Sequence, residues 1–338
     1  MCAQTVTPGE QLRHLVFGYR ISQAIGVAAG LGSADALSSG PRSAEELARE
    51  TGVDGPSLYR VLRLLASEGV FAEMEDGRFI LTPLAEVLRR DVPGSLRTVA
   101  VFNTREPYWC TWAHLAHAVR TGQPAFDHVH GMDFFAYYRQ HPEEGELFDQ
   151  MMAAQTAPVT RAVAGAYDFS RVRTVVDVGG GNGTLVLGLM VAHPHLQGIV
   201  FDQPAVAARA EEAIAAAGLA DRCQAVAGDF FVAVPEGGEA YLLKYILHDW
   251  DDERSTAILR ACRQAMAADG RLLVIEFLIP PGNAPSYAKS QDVNMLTNLG
   301  GRERTTAEYA ALFTAAGFTL TETIPLLGEL HLIEGTPA

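Results

Sequence analysis

A histidine and a glutamate stand at positions that are unusual for residues needed only for packing. His248 follows a predicted apolar strand, in the segment LHDW at residues 247–250, where we expect it to face a ligand crevice. Histidine titrates near neutral pH and is therefore the usual side chain for removing a proton from a reacting group. Glu276 interrupts the apolar run at residues 273–278, where a carboxylate is costly to bury without a partner. The two residues predict a general base supported by an acid, whereas a surface or structural histidine is the plainer alternative.

A glycine-rich turn, DVGGGNG at residues 177–183, follows another predicted strand and precedes an apolar helix. Glycines let the backbone turn sharply and let a ligand approach closely. A dinucleotide site would need the pattern GxGxxG, but counting from Gly179 through Gly181 places Thr184 where the last glycine should stand. The turn thus favours a nucleotide-like ligand other than a dinucleotide, and a tight turn needed only for packing is the alternative.

Three acidic residues end consecutive predicted strands: Asp177, Asp202 and Asp229. Each would cost stability if it were buried without a partner, so packing alone explains them poorly. A carboxylate at Asp202 can accept both hydroxyls of a ribose. Asp229 can accept from the amino group of an adenine while Phe230 packs on the face of the base. The set predicts an adenosine-containing ligand.

The elements that must position these residues alternate between strands and helices from about residue 172 onward. Such alternation is typical of an open, mostly parallel α/β sheet, which binds ligands at the carboxyl ends of its strands. A capping box, Thr305 with Glu308, predicts a late helix, and the last two strands could form an antiparallel edge pair. The predicted strands are 174–178, 198–201, 224–227, 241–247, 272–278, 318–324 and 329–334, and the main helices are 205–217 and 253–268.

The first third of the chain is predicted to be helical, with a long apolar helix near residues 10–30. A capping box of Ser43 and Glu46 starts a second helix, another follows Pro56, and Asp76-Gly77 is a strong hairpin turn. This order is that of a winged helix. However, the candidate recognition helix carries only Arg60 and Arg63 as basic residues, and the chain has a net charge of -14. DNA contact needs a basic patch, so we expect no nucleic-acid partner.

Length and composition limit the remaining choices. A chain of 338 residues predicts two domains, which we place at residues 1–155 and 156–338. No apolar run is long enough for a membrane span, and no signal peptide is visible. The four cysteines show neither CxxC pairing nor zinc spacing, which favours a reduced, cytoplasmic protein with no membrane partner. They are Cys2, Cys110, Cys223 and Cys262.

The motifs DVGGGNG, FDQP, GDFF and LLKYILHDWDD together resemble the caffeic-acid-type family of S-adenosylmethionine-dependent small-molecule O-methyltransferases, in its bacterial natural-product branch. The resemblance covers essentially the whole chain. It implies a doubly wound, Rossmann-like class I methyltransferase domain behind an N-terminal, mostly helical winged-helix-like dimerisation and substrate-lid domain, and hence a homodimer. Asn182 stands where threonine is usual in the family. By resemblance, the S-adenosylmethionine contacts are Gly179, Gly181, Asp202, Asp229, Phe230 and Lys244.

The resemblance also implies the chemistry. His248 would deprotonate an aromatic hydroxyl, flanked by Glu276 and by Glu303, which taken alone could equally be an exposed loop acid between two arginines. Nothing resembles a divalent-metal site, so metal-independent catalysis is expected, with S-adenosyl-L-homocysteine as product. Asp249 is expected to fix the His248 loop or to touch substrate. The predicted residues around the small aromatic acceptor are Trp109, Phe148, Met152, Asp249, Asn294, Met295 and Asn298.

Three alternatives are compatible with the same sequence. One is a winged-helix regulator that senses a ligand, which the scarcity of basic residues disfavours. Another is an enzyme on the same scaffold that no longer transfers methyl, such as a hydroxylase-like or decarboxylase-like relative. The third is methylation of a heteroaromatic nitrogen instead of a hydroxyl. The acceptor itself is expected to be a planar, oxygenated aromatic such as a polyketide phenol or a catechol.

Overall fold

A computed structural model describes residues 7–338, and the chain divides into two compact units between Trp109 and Cys110. Cys2 lies outside the described residues. The functional division at residues 155 and 156 stays a prediction, since it assigns roles rather than compactness. Within residues 7–338, no helix has both the length and the apolar character that a membrane crossing requires.

The first unit is mostly helical. The capping box predicted at Ser43 and Glu46 is present and starts α3, and a second one, at Thr7 and Glu10, starts α1. The helices are α1 (Pro8–Gly30), α2 (Ser33–Leu37), α3 (Ala44–Thr51), α4 (Gly55–Ser67), α5 (Pro83–Glu86), α6 (Arg97–Thr104) and, across the division, α7 (Glu106–Trp112).

The predicted winged helix is confirmed in this unit. Helices α3 and α4 are followed by the antiparallel strands β2 (Phe71–Glu73) and β3 (Arg78–Leu81), which flank the predicted Asp76-Gly77 turn. A short strand, β1 (Arg42–Ser43), pairs with β3 on its other side. Helix α4 buries leucines at helical spacing against the hairpin phenylalanines, which explains why the segment folds as a unit. These residues are Leu58, Leu62, Leu65, Phe71 and Phe79.

The second unit begins with four helices that carry most of the aromatic residues. Phe134 lies 4.6 Å from Tyr138 and 5.4 Å from Phe148 between ring centroids, so much of this composition forms an aromatic core. The helices are α8 (Leu115–Thr121), α9 (Ala125–His130), α10 (Phe134–Gln140) and α11 (Pro142–Ala166).

A seven-stranded sheet follows, with strand order β6-β5-β4-β7-β8-β10-β9. The first five strands in this order are parallel, while β10 is antiparallel to both of its neighbours, as expected for the final pair. The strands are β4 (Thr174–Val178), β5 (Gln197–Asp202), β6 (Cys223–Ala227), β7 (Ala240–Lys244), β8 (Arg271–Phe277), β9 (Phe318–Pro325) and β10 (Leu330–Pro337). The helices are α12 (Thr184–Ala192), α13 (Pro204–Ala216), α14 (Asp252–Ala265), α15 (Tyr287–Asn298) and α16 (Thr306–Ala315), the last with its predicted capping box.

Both faces of the sheet are buried, because its central strands are almost continuously apolar. In β4, for example, Val175 faces one core and Val176 the other. The helix expected at 253–268 ends at Ala265, the last strand reaches Pro337 instead of residue 334, and the strand expected at 241–247 ends at Lys244. Tyr245 adopts a left-handed backbone with φ of 57°, which breaks the ladder and starts a turn.

The chain order around β4 creates the site. It passes from β4 outward to β6, then returns to β7 on the opposite side of β4. Ligands of open α/β sheets bind at such a switch point, at the carboxyl ends of the strands. The glycine turn after β4 and the His248 segment after β7 therefore meet at one edge.

Candidate active site

The glycine turn has a backbone that only glycine adopts easily. Gly179, Gly181 and Gly183 have φ values of 70°, 60° and 81°, in the left-handed region. A Cβ atom at Gly179 would also collide with the side chain of Ile246, which follows β7. The turn is thus held close to the segment that carries His248, as the sheet order requires.

Asp202 stands beside this turn. Its Oδ2 accepts from the backbone N–H of Gly181 at 2.9 Å, and its Oδ1 accepts from Gln203 at 2.7 Å. Each carboxylate oxygen has a further lone pair, so Asp202 retains capacity for the two ribose hydroxyls expected of it. Burial raises the pKa of this acid, while the backbone donors lower it.

The adenine-side residues follow β6. Asp229 is exposed, and its Oδ1 accepts from the backbone N–H of Phe231 at 2.9 Å. Phe230 is half-buried and makes edge contacts with Phe231 and Trp250, at centroid distances of 4.9 and 6.2 Å. An acid beside a set of rings is the arrangement predicted for recognition of a base.

The buried charged atoms at this edge that lack a hydrogen-bond partner within residues 7–338 include Nζ of Lys244 and Oδ2 of Asp177. Burial lowers the pKa of Lys244 to about 8 and raises that of Asp177 to about 7, and each opposes the shift of the other. Unpaired buried charges are costly, so such atoms indicate a site built for a ligand. An ammonium and a carboxylate together suit the amino-acid end of S-adenosylmethionine, which bears both charges.

His248 lies on a single 3₁₀ turn, Leu247–Asp249, which we call the histidine turn. Its ring is buried, and Nδ1 lies 2.8 Å from Oε1 of Glu303, so the alternative of an exposed Glu303 is wrong. Nε2 on the opposite side of the ring lies 3.4 Å from Oδ1 of Asp249. The ring of Tyr245 stacks on the imidazole with a centroid separation of 5.5 Å.

Glu276 holds the backbone of this segment. Its Oε1 accepts from the N–H groups of Ile246, Leu247 and His248 at 3.0, 2.9 and 3.4 Å, and its Oε2 lies 3.3 Å from Nδ1 of His248. Glu276 therefore makes loop-fixing contacts, while the loop-fixing role expected of Asp249 stays a prediction. The costly carboxylate inside strand β8 has its partners, as the sequence required.

The acids around the histidine share a low-dielectric environment. Burial raises the pKa of Glu276 and Asp249 to about 7, and the proximity of His248 opposes both shifts. Burial also raises the pKa of Glu303 to about 8, helped by Asp292 and opposed by Arg304. Perturbed carboxyl groups around one histidine are typical of catalytic sites.

One residue of this group was missed by the sequence analysis. Arg304 is fully buried, and its guanidinium reaches the carbonyls of Leu247 and Trp250 on either side of His248. A buried arginine needs all its donors satisfied, and nothing in the sequence RER distinguishes Arg304 from its exposed neighbour Arg302.

Ligand atoms of His248, Glu276 and Glu303 lie within 4.8 Å of one another, a spacing that could hold a metal ion. However, Glu276 Oε1 is occupied by three backbone donors, and Nδ1 of the histidine faces Glu303 at hydrogen-bond distance. These two atoms are therefore already used in hydrogen bonds, whereas Oε2 of Glu276 and Oε2 of Glu303 have no hydrogen-bond partner within residues 7–338.

The predicted acceptor residues are placed as follows. Asn298 is buried, with Nδ2 donating to Oδ1 of Asn294 at 2.9 Å and Oδ1 accepting from Thr111 at 2.9 Å. Met295, between them on α15, is buried too. Phe148 and Met152 are half-buried on α11, and Trp109 is half-buried on α7 in the first unit. Their contact with substrate stays a prediction.

Comparisons with known proteins agree with this geometry. Residues 112–319 match the family model of the O-methyltransferase domain, and residues 13–91 match the O-methyltransferase dimerisation domain, which supports the expected homodimer. The chain is 45% identical to a phenazine O-methyltransferase of Lysobacter antibioticus over 326 residues, covering 96% of this chain and 95% of that protein. It is 41% identical to an O-demethylpuromycin-O-methyltransferase of Streptomyces alboniger, covering 97% and 89%.

Solved structures show the same likeness. The crystal structure of LaPhzM has a TM-score of 0.93 and 44% identity, covering 98% of this chain and 100% of that one. An O-methyltransferase from neocarzinostatin biosynthesis, solved with S-adenosylmethionine and 2-hydroxy-5-methyl naphthoic acid, has a TM-score of 0.80 and 35% identity, covering 94% and 96%. The chain belongs to the S-adenosylmethionine-dependent O-methyltransferase family.

Proposed function

We propose that this enzyme methylates a hydroxyl of a planar aromatic secondary metabolite, such as a polyketide phenol or a catechol, with His248 as general base and without a metal ion. The observation that carries the proposal is the 2.8 Å contact between Nδ1 of His248 and Oε1 of Glu303 in a buried setting. The similar proteins named for phenazine, O-demethylpuromycin and a naphthoic acid support an aromatic acceptor.

The tautomer of His248 follows from its partners. When Glu303 is ionised it can only accept a hydrogen bond, so Nδ1 of His248 carries the proton and donates to Glu303, which leaves the lone pair on Nε2. An acceptor hydroxyl placed at Nε2 can give up its proton there as its oxygen attacks. Glu303 then stabilises the imidazolium that forms, and Glu276 keeps the histidine turn in place.

S-adenosylmethionine supplies a methyl group on a sulfonium and leaves as S-adenosyl-L-homocysteine. Its amino-acid end would be held by Lys244 and Asp177, whose buried charges otherwise lack partners. Gly179 and Gly181 would let it approach the backbone, Asp202 would accept from the ribose, and Asp229 with Phe230 would hold the adenine. Holding the acceptor oxygen in line behind the methyl can lower the barrier by roughly 7–11 kcal/mol.

The acceptor would be bound by residues of the second unit. The ring of Phe148, the adaptable side chain of Met152 and the polar face of α15 at Asn294 suit a flat, oxygenated molecule. Asp249, 3.4 Å from Nε2, lies where a bound acceptor would reach the histidine. We also propose residues 1–155 as the dimerisation and lid region and residues 156–338 as the cofactor region.

The test uses His248→Ala with His193→Ala as the control, since His193 contacts the carbonyl of Ala164 and belongs to no part of the site. Phenols that stabilise the protein together with S-adenosyl-L-homocysteine are first found by thermal shift, and turnover is then measured with labelled methyl donor. We expect the His248 variant to bind S-adenosylmethionine normally and to lose at least about a hundredfold in kcat. Unchanged turnover by this variant would remove the general-base role.

The same assay decides between the alternatives. Product NMR shows whether the methyl is on oxygen or on nitrogen, and a heteroaromatic nitrogen would need no base. Absence of label transfer with every acceptor that binds would favour the non-methylating alternative, and a gel shift with DNA would favour the regulator.

A further inference from the structure

Arg304 is buried beside the histidine turn and uses every donor that it has. Nε and Nη2 donate to Oδ1 of Asp252 at 3.1 and 2.9 Å. Nη1 donates to the carbonyls of Leu247 and Arg302, at 2.9 and 3.3 Å. Nη2 also donates to the carbonyl of Trp250 at 2.8 Å and contacts Oγ of Ser255 at 3.3 Å. A guanidinium has five N–H donors in a fixed plane, so this pattern fixes its orientation completely.

Two of these acceptors bracket the residue that carries the chemistry. Leu247 begins the histidine turn and Trp250 directly follows it. The planar guanidinium of Arg304 therefore holds both ends of the segment that carries His248. Ser255 on α14 adds to this, because its hydroxyl reaches the carbonyl of Leu247 at 3.1 Å and that of Trp250 at 3.4 Å. Glu276 holds the N–H groups of the same turn from the other side.

Arg304 is also connected to Glu303, the hydrogen-bond partner of the His248 imidazole. Arg304 follows Glu303 in sequence, and the Arg304 carbonyl accepts from the N–H of Ile279 at 3.0 Å, just beyond β8. Gly301 approaches the backbone of His248 so closely that a Cβ there would collide with the His248 carbonyl. Gly301, Glu303 and Arg304 therefore set the ring partner and the backbone of His248 in one rigid frame.

We propose that Arg304 is a positioning residue for the methyl transfer: its guanidinium fixes the histidine turn so that His248 keeps Nδ1 on Glu303 and presents Nε2 to the acceptor. The expected effect on kcat rests on the proposed function, whereas the positioning of His248 by Arg304 does not depend on it. Misplacing a reacting group by about 1 Å can cost a hundredfold in rate, so a loosened turn lowers kcat more than binding.

The experiment compares Arg304→Lys with Arg302→Lys. Both arginines bind Asp252, but Arg302 is exposed and its side chain does not touch the histidine turn. Lysine keeps the positive charge but lacks the planar guanidinium that holds both carbonyls. We expect Arg304→Lys to bind S-adenosylmethionine and acceptor within threefold of wild type and to lose about tenfold or more in kcat, normalised to the stoichiometry of S-adenosylmethionine binding. Arg302→Lys should keep its kcat within twofold.

A spectroscopic readout separates positioning from general damage. In protein labelled with ¹⁵N-histidine, the hydrogen-bonded Nδ1 proton of His248, identified by its loss in His248→Ala, should shift or broaden in Arg304→Lys and stay unchanged in Arg302→Lys. The proposal is overturned if both the Nδ1 proton signal and kcat are unchanged in Arg304→Lys. It is also overturned if the loss in kcat disappears once the rate is normalised to the stoichiometry of S-adenosylmethionine binding. The Nδ1 proton signal reports the position of His248 whether or not His248 acts as the base. Failure of the proposed function can therefore be distinguished from failure of the positioning role of Arg304.

Ser255→Ala covers the case in which Arg304→Lys does not fold. It removes one hydroxyl from the same two carbonyls, and alanine is smaller than the serine that it replaces at this fully buried position. We expect a decrease of threefold or more in kcat with unchanged S-adenosylmethionine binding and a shifted Nδ1 proton. A wild-type kcat and spectrum in this variant would contradict the proposal.

Discussion

Nδ1 of His248 lies 2.8 Å from Oε1 of Glu303, while Nε2 of the same ring lies 3.4 Å from Oδ1 of Asp249. The two ring nitrogens therefore have different partners at different distances. With Glu303 ionised, the short contact sets the tautomer, and the long one lies on the side where the proposed mechanism brings the acceptor proton. This asymmetry decides which substitutions should affect the chemistry.

Glu303→Gln should lower kcat by about two to four orders of magnitude, because a neutral amide cannot stabilise the imidazolium and permits the wrong tautomer. S-adenosylmethionine binding, measured by calorimetry, should change less than twofold. Glu308→Gln is the matched control, since Glu308 caps α16, is half exposed and pairs with Arg302 rather than with His248. A Glu303→Gln enzyme within threefold of the wild-type kcat would contradict the assignment.

Glu276→Gln should make the stability of the protein less dependent on pH. Burial raises the pKa of Glu276 from 4.5 to about 7, so the folded protein keeps this proton to higher pH than the unfolded chain does. The free energy of unfolding therefore decreases as pH rises from 4.5 to about 7, and glutamine removes this contribution. The measurement is the free energy of unfolding in urea at pH 5 and at pH 8. An equal change between these pH values in the wild-type protein and in Glu276→Gln would contradict the prediction.

Glu276→Ala tests the other task of this residue. Glutamine can still accept from the three backbone N–H groups of residues 246–248, whereas alanine leaves buried donors unpaired. We expect alanine to be less stable than glutamine by at least about 2 kcal/mol in the same urea experiment.

Lys244→Met should weaken the binding of S-adenosyl-L-homocysteine and remove part of its pH dependence. Burial lowers the pKa of Lys244 to about 8, so its positive charge is lost as pH rises through this value. Wild-type affinity, measured by calorimetry, should therefore fall from pH 7 to pH 9 more steeply than that of the variant. Lys289→Met is the control, because Lys289 is the only other lysine of the sequence and donates to the carbonyls of Gly282 and Ala284.

Gly179→Ala and Gly181→Ala should separate backbone strain from steric collision. Both positions have positive φ, and this alone costs alanine about 1–2 kcal/mol. A Cβ at Gly179 would also meet Ile246, whereas nothing lies within 4 Å of one at Gly181. Thermal unfolding should therefore show a larger loss for Gly179→Ala, and equal losses would contradict the close approach of the two loops.

EDTA should leave turnover unchanged, because Oε1 of Glu276 and Nδ1 of His248 are engaged in hydrogen bonds and the proposed proton transfer uses no metal ion. The measurement is the initial rate after dialysis against EDTA, with and without added Mg²⁺ or Zn²⁺. A rate that falls with EDTA and returns with one of the metals would make the cluster of His248, Glu276 and Glu303 a metal site.

The sheet and its ligand edge could be predicted from the sequence because apolar runs and glycine turns are local signals. The strand expected at 174–178 has these bounds in the structure, and its neighbours differ by a residue or two. The end of β7 could not be predicted, since a bulky residue such as Tyr245 is disfavoured in the left-handed region and only its surroundings hold it there.

The residues that hold His248 in place were harder to predict than His248 itself. Glu276 stood out because a charge inside an apolar strand needs an explanation, but its three backbone partners depend on a turn that no pattern indicates. Arg304 gave no signal, because its burial results from contacts with Asp252 and Leu247, more than fifty residues away in the chain. Long-range contacts of this kind are not encoded in local spacing.

Strand β10 lies between β8 and β9, although it is the last of the seven strands to be synthesised. Its His331 is the direct neighbour of Glu276 in the ladder, so the strand that carries this acid gains its second hydrogen-bonded edge only from residues 330–337. A nascent chain therefore cannot complete the sheet around Glu276, which holds the histidine turn, until this late segment has left the ribosome. Premature release during translation would therefore leave β8 without its second partner strand beside the histidine turn.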